Sequence, residues 1–195
     1  IFFELARQSG SLAELDLQCA RTALSGCARL PGGVLRFVNL FPSTMLGMSP
    51  DELLELLAGG GRPGEVCLEI AEEAHGGSMA DVRERIAAVR AGGVRIALDG
   101  AGGGHTVGML LDLEPDFVKI DRDRVMGIAE DAAKERALGR LVQMLRASGG
   151  AVIAEGVEER ADLERLVHMG VPYVQGFLLG RPRPLEAICG APARA

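Results

Sequence analysis

A set of side chains able to bind a cation or steer a phosphate recurs along this chain at one kind of position. Asn39, Glu69, Asp99, Lys119, Asp121, Glu155 and Gln175 each fall at or near the end of a predicted strand. Their donors are almost all oxygen, with little His or Cys, which suits a hard divalent cation such as Mg²⁺ or Mn²⁺. A lysine inside such a set can position a nucleophilic water or neutralise charge on a phosphate. Taken singly, each acid has a plainer reading, as a solvated strand end or the cap of the next helix. Recurrence on every strand singles the set out.

The elements that must carry these residues are legible in the hydrophobic pattern. Val94–Leu98 is a near-continuous apolar run, followed by a glycine-rich loop, a short helix and a second such run, Phe117–Ile120; this is the pattern of a βαβ unit in a parallel sheet. Further strands are predicted at Val34–Leu40, Val66–Ile70, Ala151–Ala154 and Tyr173–Leu179. Apolar residues at helical spacing (Phe2, Leu5, Leu12, Leu15, Cys19, Ala23) and a break at Ser9-Gly10-Ser11 predict two leading helices, the second capped by Ser11 with Glu14. Ser49-Pro50-Asp51-Glu52 is a strong helix start, running to Gly59. Helices are also predicted from Ser78 to Ala91, Ala129 to Ala147 and Ala161 to Met169. Strands alternating with helices imply an α/β fold, either a (β/α) barrel or a doubly wound sheet, whose working residues gather where strands end.

Length and composition bound the function. The 195 residues suit one domain with a real core: a helical lead-in over 1–30, strands and helices over 34–185, and a tail over 186–195. A net charge of −6 without a basic face argues against nucleic-acid binding. No apolar run is long enough to span a membrane. The four cysteines, Cys19, Cys27, Cys67 and Cys189, lack CxxC spacing, and a reduced, cytoplasmic setting is expected, with Cys67 a core thiol. His75, His105 and His168 match no ligand spacing. The run Gly100–Gly104 lacks the pattern of a nucleotide phosphate loop.

The segments FVNL, LEIAEE, IALDGAGGG, FVKIDR, AVIAEGVEE and VQGFLLGRPRP resemble, in order and across almost the whole chain, the motifs of the EAL domain family. That family hydrolyses the bacterial second messenger cyclic di-GMP, or in degenerate members only binds it. The resemblance implies a TIM-like barrel with one antiparallel strand. It implies that Asn39, Glu69, Asp99 and Glu155 are metal ligands and that Lys119 contacts the catalytic water. Glu155 is also implied as general base. Glu72 would steady the loop after Asp99, while Asp121, Glu158 and Gln175 would occupy further pocket positions, Gln175 touching a guanine or the metal shell. In the implied reaction two cations activate water for in-line attack on one phosphodiester, giving linear pGpG.

The chain departs from the family pattern in two places. The Glu-Ala-Leu signature strand has no counterpart, so the chain is expected to be a piece lacking the first two strands. Gly100 stands where the family carries the second Asp of its DDFGTG loop, with Ala101, His105 and Val107 replacing other loop residues. A catalytically impaired domain that binds nucleotide or acts as a regulatory module is therefore expected. The alternatives are an active phosphodiesterase completed by N-terminal sequence and a protein–protein interaction module. Open sheet edges at the first and last strands predict self-association, most simply a homodimer, or further N-terminal sequence that covers them. An adjacent GGDEF or sensor domain is a further partner the resemblance allows.

Overall fold

Two helices open the chain, α1 (Phe2–Ser9) and α2 (Leu12–Cys27), and lead into the first strand, β1 (Arg36–Asn39). The computed structural model describes residues 2–71, 78–101 and 106–189. Next come α3 (Pro42–Leu46), α4 (Pro50–Ala58), β2 (Val66–Ala71), α5 (Met79–Ala91) and β3 (Arg95–Ala101). The remaining elements are α6 (Thr106–Leu113), β4 (Phe117–Ile120), α7 (Arg122–Val125), α8 (Ala132–Ala147), β5 (Ala151–Ala154), α9 (Arg160–His168), β6 (Tyr173–Val174) and α10 (Leu185–Cys189). The expectations at Glu72, His75, His105 and Gly102–Gly104 lie outside the described residues.

The strands are hydrogen-bonded in sequence order, β1-β2-β3-β4-β5-β6. β1 runs parallel to β2, and β3, β4, β5 and β6 run parallel to one another. A doubly wound sheet reverses its order at a switch point. Here no reversal occurs, so of the two α/β architectures predicted the barrel class is the one with this topology. Residues up to Ile96, with the segment from Arg183 onward, make one compact unit, and Ala97–Pro182 make a second.

In the first unit the helix starts follow local chemistry. Ser49 accepts from Glu52 N–H while the Glu52 carboxylate accepts from Ser49 N–H at 2.7 Å, a complete capping box with Pro50 at the first helical position. Ser78 caps α5 by a single bond, accepting from Asp81 N–H. Ser11 does not: its hydroxyl pairs with that of Ser9 at 2.8 Å and makes no cap bond to α2. The stripe predicted for α2 is also displaced by one residue. Its buried face is Asp16, Ala20 and Leu24, while Cys19 and Ala23 are exposed.

Arg36 and Glu65 lock the base of this unit. The buried Arg36 guanidinium donates to the carbonyls of Cys27, Leu30 and Pro31 and, at 2.7 Å, to Glu65. Glu65 also accepts from Gly33 N–H and Arg62 N–H. The Gly33 bond foremost, then Arg36, holds the Glu65 carboxyl down from 4.5 to about 2. A carboxyl depressed by folding stabilises the fold above its unfolded pKa and ceases to as pH falls through the folded value. We expect Glu65→Gln to lower stability at pH 7 and to flatten the loss between about pH 4.5 and 2. Urea unfolding at pH 7 and pH 3 measures both, and an unchanged acid slope in the variant would remove Glu65 as its cause.

The second unit buries Val118, Ile120, Val152 and Ala154 on one face of β4 and β5. One prediction is corrected here. The last strand was expected over Tyr173–Leu179, but β6 is Tyr173–Val174. Gln175 continues the ladder by one bond, donating to Ala154 O at 2.8 Å, and the chain then turns around Val157. Val157 N–H donates to Gln175 O and Leu178 N–H to Val157 O. Any side chain at Gly176 would overlap the Val157 backbone, so the turn depends on glycine there. Phe177 and Leu179, which look like strand residues in the sequence, are half exposed.

Candidate functional site

Register decides which side chains share a face, because successive residues of a strand point to opposite sides. In the first unit Asn39 is paired with Glu69 across β1 and β2. Asn39 is exposed at its strand end, and Glu69 is 4% exposed in the middle of an apolar strand. In the second unit Lys119 is paired with Ile153, and Ile153 with Tyr173. Glu155, whose N–H donates to Ile120 O at 3.0 Å, lies two residues beyond Ile153; Gln175 lies two beyond Tyr173. Lys119, Glu155 and Gln175 therefore stand on one face, above a layer in which the Phe117 and Tyr173 rings meet edge to face at 5.8 Å.

Asp99 reaches the same group by a different device. Leu98 pairs with Val118 and Ala101 with Ile120, so β3 spends one residue more than β4 over this step. The extra residue is a β-bulge, which re-aims a side chain at the cost of a ladder position. Gly100 occupies it at φ +72°, in the left-handed region that glycine enters without steric cost. Asp99 was expected to close its strand; it sits instead inside a strand that runs on to Ala101.

These placements converge on one ion cluster. The Lys119 ammonium is 2.8 Å from Glu155 Oε1 and 3.4 Å from Asp99 Oδ1, with the lysine side chain only 10% exposed. Burial pushes the Asp121 carboxyl above its usual range, and the neighbouring Asp99 charge pushes it further. Asp99, Asp121 and Glu155 bring three carboxylates around one ammonium, with the Arg124 guanidinium also acting on Asp121. A site with this imbalance favours an added cation, and its oxygen donors suit a hard one. Among the described residues no three Asp, Glu, His or Cys side chains are already drawn together as a ligand set.

Other predicted positions fall around this cluster or apart from it. Glu158 pairs with Arg122 at 3.1 Å on the surface. Gln175 is exposed, with its backbone N–H and C=O both engaged. Glu72 lies outside the described residues. His168 ends α9. Cys67 is fully buried, as expected of a core residue, and Cys19 and Cys27 are thiols outside any disulfide. Among the described residues no helix is long and apolar enough to cross a membrane. One residue escaped the strand-end reasoning altogether. Asp16, 4% exposed, accepts a 2.9 Å bond from Phe41 N–H, two residues after Asn39. The only signal for it in the sequence is a carboxylate at i, i+4, i+8 spacing with Ala20 and Leu24 on an amphipathic helix.

The chain matches the EAL domain family over residues 1–182. The probable cyclic di-GMP phosphodiesterase PdeA of Escherichia coli K12 is 31% identical over 190 residues, 94% of this chain and 26% of that protein. The chain thus spans about a quarter of that relative's length. BlrP1 of Klebsiella pneumoniae, solved as a manganese and cyclic di-GMP complex, superposes with a TM-score of 0.80 at 30% identity, over 89% of this chain and 45% of BlrP1. An EAL domain protein of Listeria monocytogenes gives a TM-score of 0.83 at 25% identity, over 96% of this chain and 76% of that one.

Proposed function

Since the chain belongs to the EAL domain family, we propose that its strand-end oxygens hold a divalent cation against the phosphodiester of cyclic di-GMP, with turnover weakened at Gly100. The observation that carries this reading is Lys119, held at 2.8 Å from Glu155 and 3.4 Å from Asp99 on a face shared with the strand ends. A buried ammonium between two carboxylates is fixed in orientation, as a group that must present charge to a phosphate or its water needs to be. Asp99 and Glu155 of the second unit, and Asn39 and Glu69 of the first, are each proposed as ligands for Mg²⁺ or Mn²⁺. When bound, such a cation supplies Lewis-acid charge and lowers the pKa of water. Lys119 orients the attacking water, and Glu155 takes its proton as oxygen bonds to phosphorus. The opposite P–O bond breaks, the leaving sugar oxygen takes a proton from solvent, and the cyclic dinucleotide opens to pGpG.

Two further findings support the ligand class. The relative from E. coli is named for cyclic di-GMP phosphodiesterase activity, and BlrP1 was solved with manganese and the cyclic dinucleotide. The weakening is read from Gly100: its bulge conformation aims Asp99 but supplies no second carboxylate. Binding without rapid turnover follows.

Calorimetric titration with cyclic di-GMP, with and without Mn²⁺, tests the reading, with pGpG followed by chromatography. Expected are saturable binding that tightens with Mn²⁺ and pGpG formation far slower than binding. Absence of binding at millimolar Mn²⁺ would leave the fold as an interaction module, and rapid pGpG formation would remove the weakening at Gly100.

A further inference from the structure

The segment that follows Asn39 is pinned from more than one side. Leu40 N–H donates to the carbonyl of Glu69 at 3.2 Å, so β2 fixes the residue directly after Asn39. The next amide, Phe41 N–H, has left the sheet and donates instead to the Asp16 carboxylate of α2 at 2.9 Å. The Phe41 ring meets the Phe3 ring of α1 edge to face, 5.6 Å between centroids. Pro42 then starts α3, with Phe41 as its N-cap in an extended conformation. The leading helices therefore grip the backbone at the residue where the chain turns away from β1.

Asp16 is an unusual group for this purpose. Its neighbours on the buried face of α2 are Ala20 and Leu24, and it is 4% exposed. Burial of a carboxylate on an apolar helix face is costly unless the group is hydrogen-bonded. An apolar residue there would spare that cost, but it would leave Phe41 N–H without its acceptor and take the carboxylate away from Thr44. The bond is also more directional than packing: it fixes one amide plane, and through Leu40 the backbone that carries Asn39.

We propose that Asp16 is a positioning residue for the cation site: by accepting from Phe41 N–H it holds the turn after β1 so that the Asn39 carboxamide stays in register with Glu69. The proposal rests on the reading that Asn39 is a cation ligand. It gives the helical lead-in a task in the site, rather than only a share of the core.

The test compares Asp16→Asn, which keeps an acceptor oxygen, with Asp16→Ala, which removes it. Leu24→Ala, on the same buried face, controls for lost packing. Mn²⁺ titration calorimetry well below the melting temperature is expected to show about tenfold weaker binding for Asp16→Ala, with Asp16→Asn and Leu24→Ala within about threefold of the parent. Combined with Asn39→Ala, the Asp16→Ala change is expected to weaken binding no further, because its effect passes through Asn39. An additive effect, or equal loss in Leu24→Ala, overturns the proposal. Amide hydrogen exchange at Phe41 is read on the same variants and needs no cation. Protection there should drop in Asp16→Ala and persist in Asp16→Asn and Leu24→Ala; retained protection in Asp16→Ala overturns the proposal as well. If the parent binds no Mn²⁺ while Phe41 exchange behaves as expected, the cation reading of Asn39 fails and the grip on the turn stands.

Discussion

Replacing Lys119 by methionine should destabilise the cation-free protein by about 2–3 kcal/mol and, in the same variant, make Mn²⁺ more strongly stabilising than it is in the parent. Lys119 lies between Asp99 and Glu155, whose side chains are 29% and 20% exposed. Removing one partner of a fully buried ion pair costs about 3–5 kcal/mol because a charge is left uncompensated, and partial exposure of both carboxylates discounts that figure. For a chain of this size the loss corresponds to roughly 5–10 °C in melting temperature. The two carboxylates left behind, with Asp121 nearby, then gain more from an added cation than they do with Lys119 in place. A ligand that binds only the folded state at a hundred times its Kd returns about 2.7 kcal/mol, enough to recover most of the loss. On the proposed reading, any cyclic di-GMP hydrolysis should fall even so, since the ammonium proposed to orient water is gone. Thermal unfolding across a Mn²⁺ series separates this account from a purely structural one. An equal loss of melting temperature at every Mn²⁺ concentration would mean that the carboxylates do not take up a cation in place of Lys119.

The two alternating periodicities made most of this fold readable. Strands buried on both faces stand out as short apolar runs, and the parallel register of β4, β5 and β6 then puts Lys119, Glu155 and Gln175 on one face without further information. Ser49-Pro50-Asp51-Glu52 was legible because a capping box is entirely local chemistry. What was not legible depended on contacts between distant segments. Phe177, Leu178 and Leu179 have strand composition, yet Gly176 lies against the Val157 backbone and turns the chain. On α2 the spacing fits two stripes one residue apart, and the apolar one was the natural choice. The structure buries the other, Asp16 included, because its carboxylate has Phe41 N–H to meet. The bulge in β3 was invisible for a related reason. A single extra residue inside an apolar run changes no periodicity that a short window detects. Gly100 therefore looked like an acid that had been lost, when it is also the residue that lets Asp99 turn toward Lys119.

That double role sets the outcome expected for Gly100→Asp. A carboxylate there should raise pGpG formation about ten- to hundredfold with Mn²⁺ present, equivalent to roughly 1.4–2.7 kcal/mol off the barrier. It should also lower the stability of the cation-free protein. Position 100 is at φ +72°, a conformation that costs an L-residue about 1–2 kcal/mol, with Asp and Asn the side chains that tolerate it best. A Cβ at this position would lie 3.8 Å from Asp121 Oδ2, so the new carboxylate joins one that burial and Asp99 already push upward. Without a cation the addition is repulsive. With one, the same charge strengthens the site where phosphate and attacking oxygen carry theirs. Gly100→Asn divides backbone strain from charge, because it shares the tolerance for this φ and lacks the carboxylate. Asp and Asn should lose similar stability without Mn²⁺ apart from the repulsion, and only Asp should gain Mn²⁺ affinity and rate. If the two variants behave alike in both, the shortage of charge at this loop is not what limits turnover, and the bulge glycine is kept for the aim it gives Asp99.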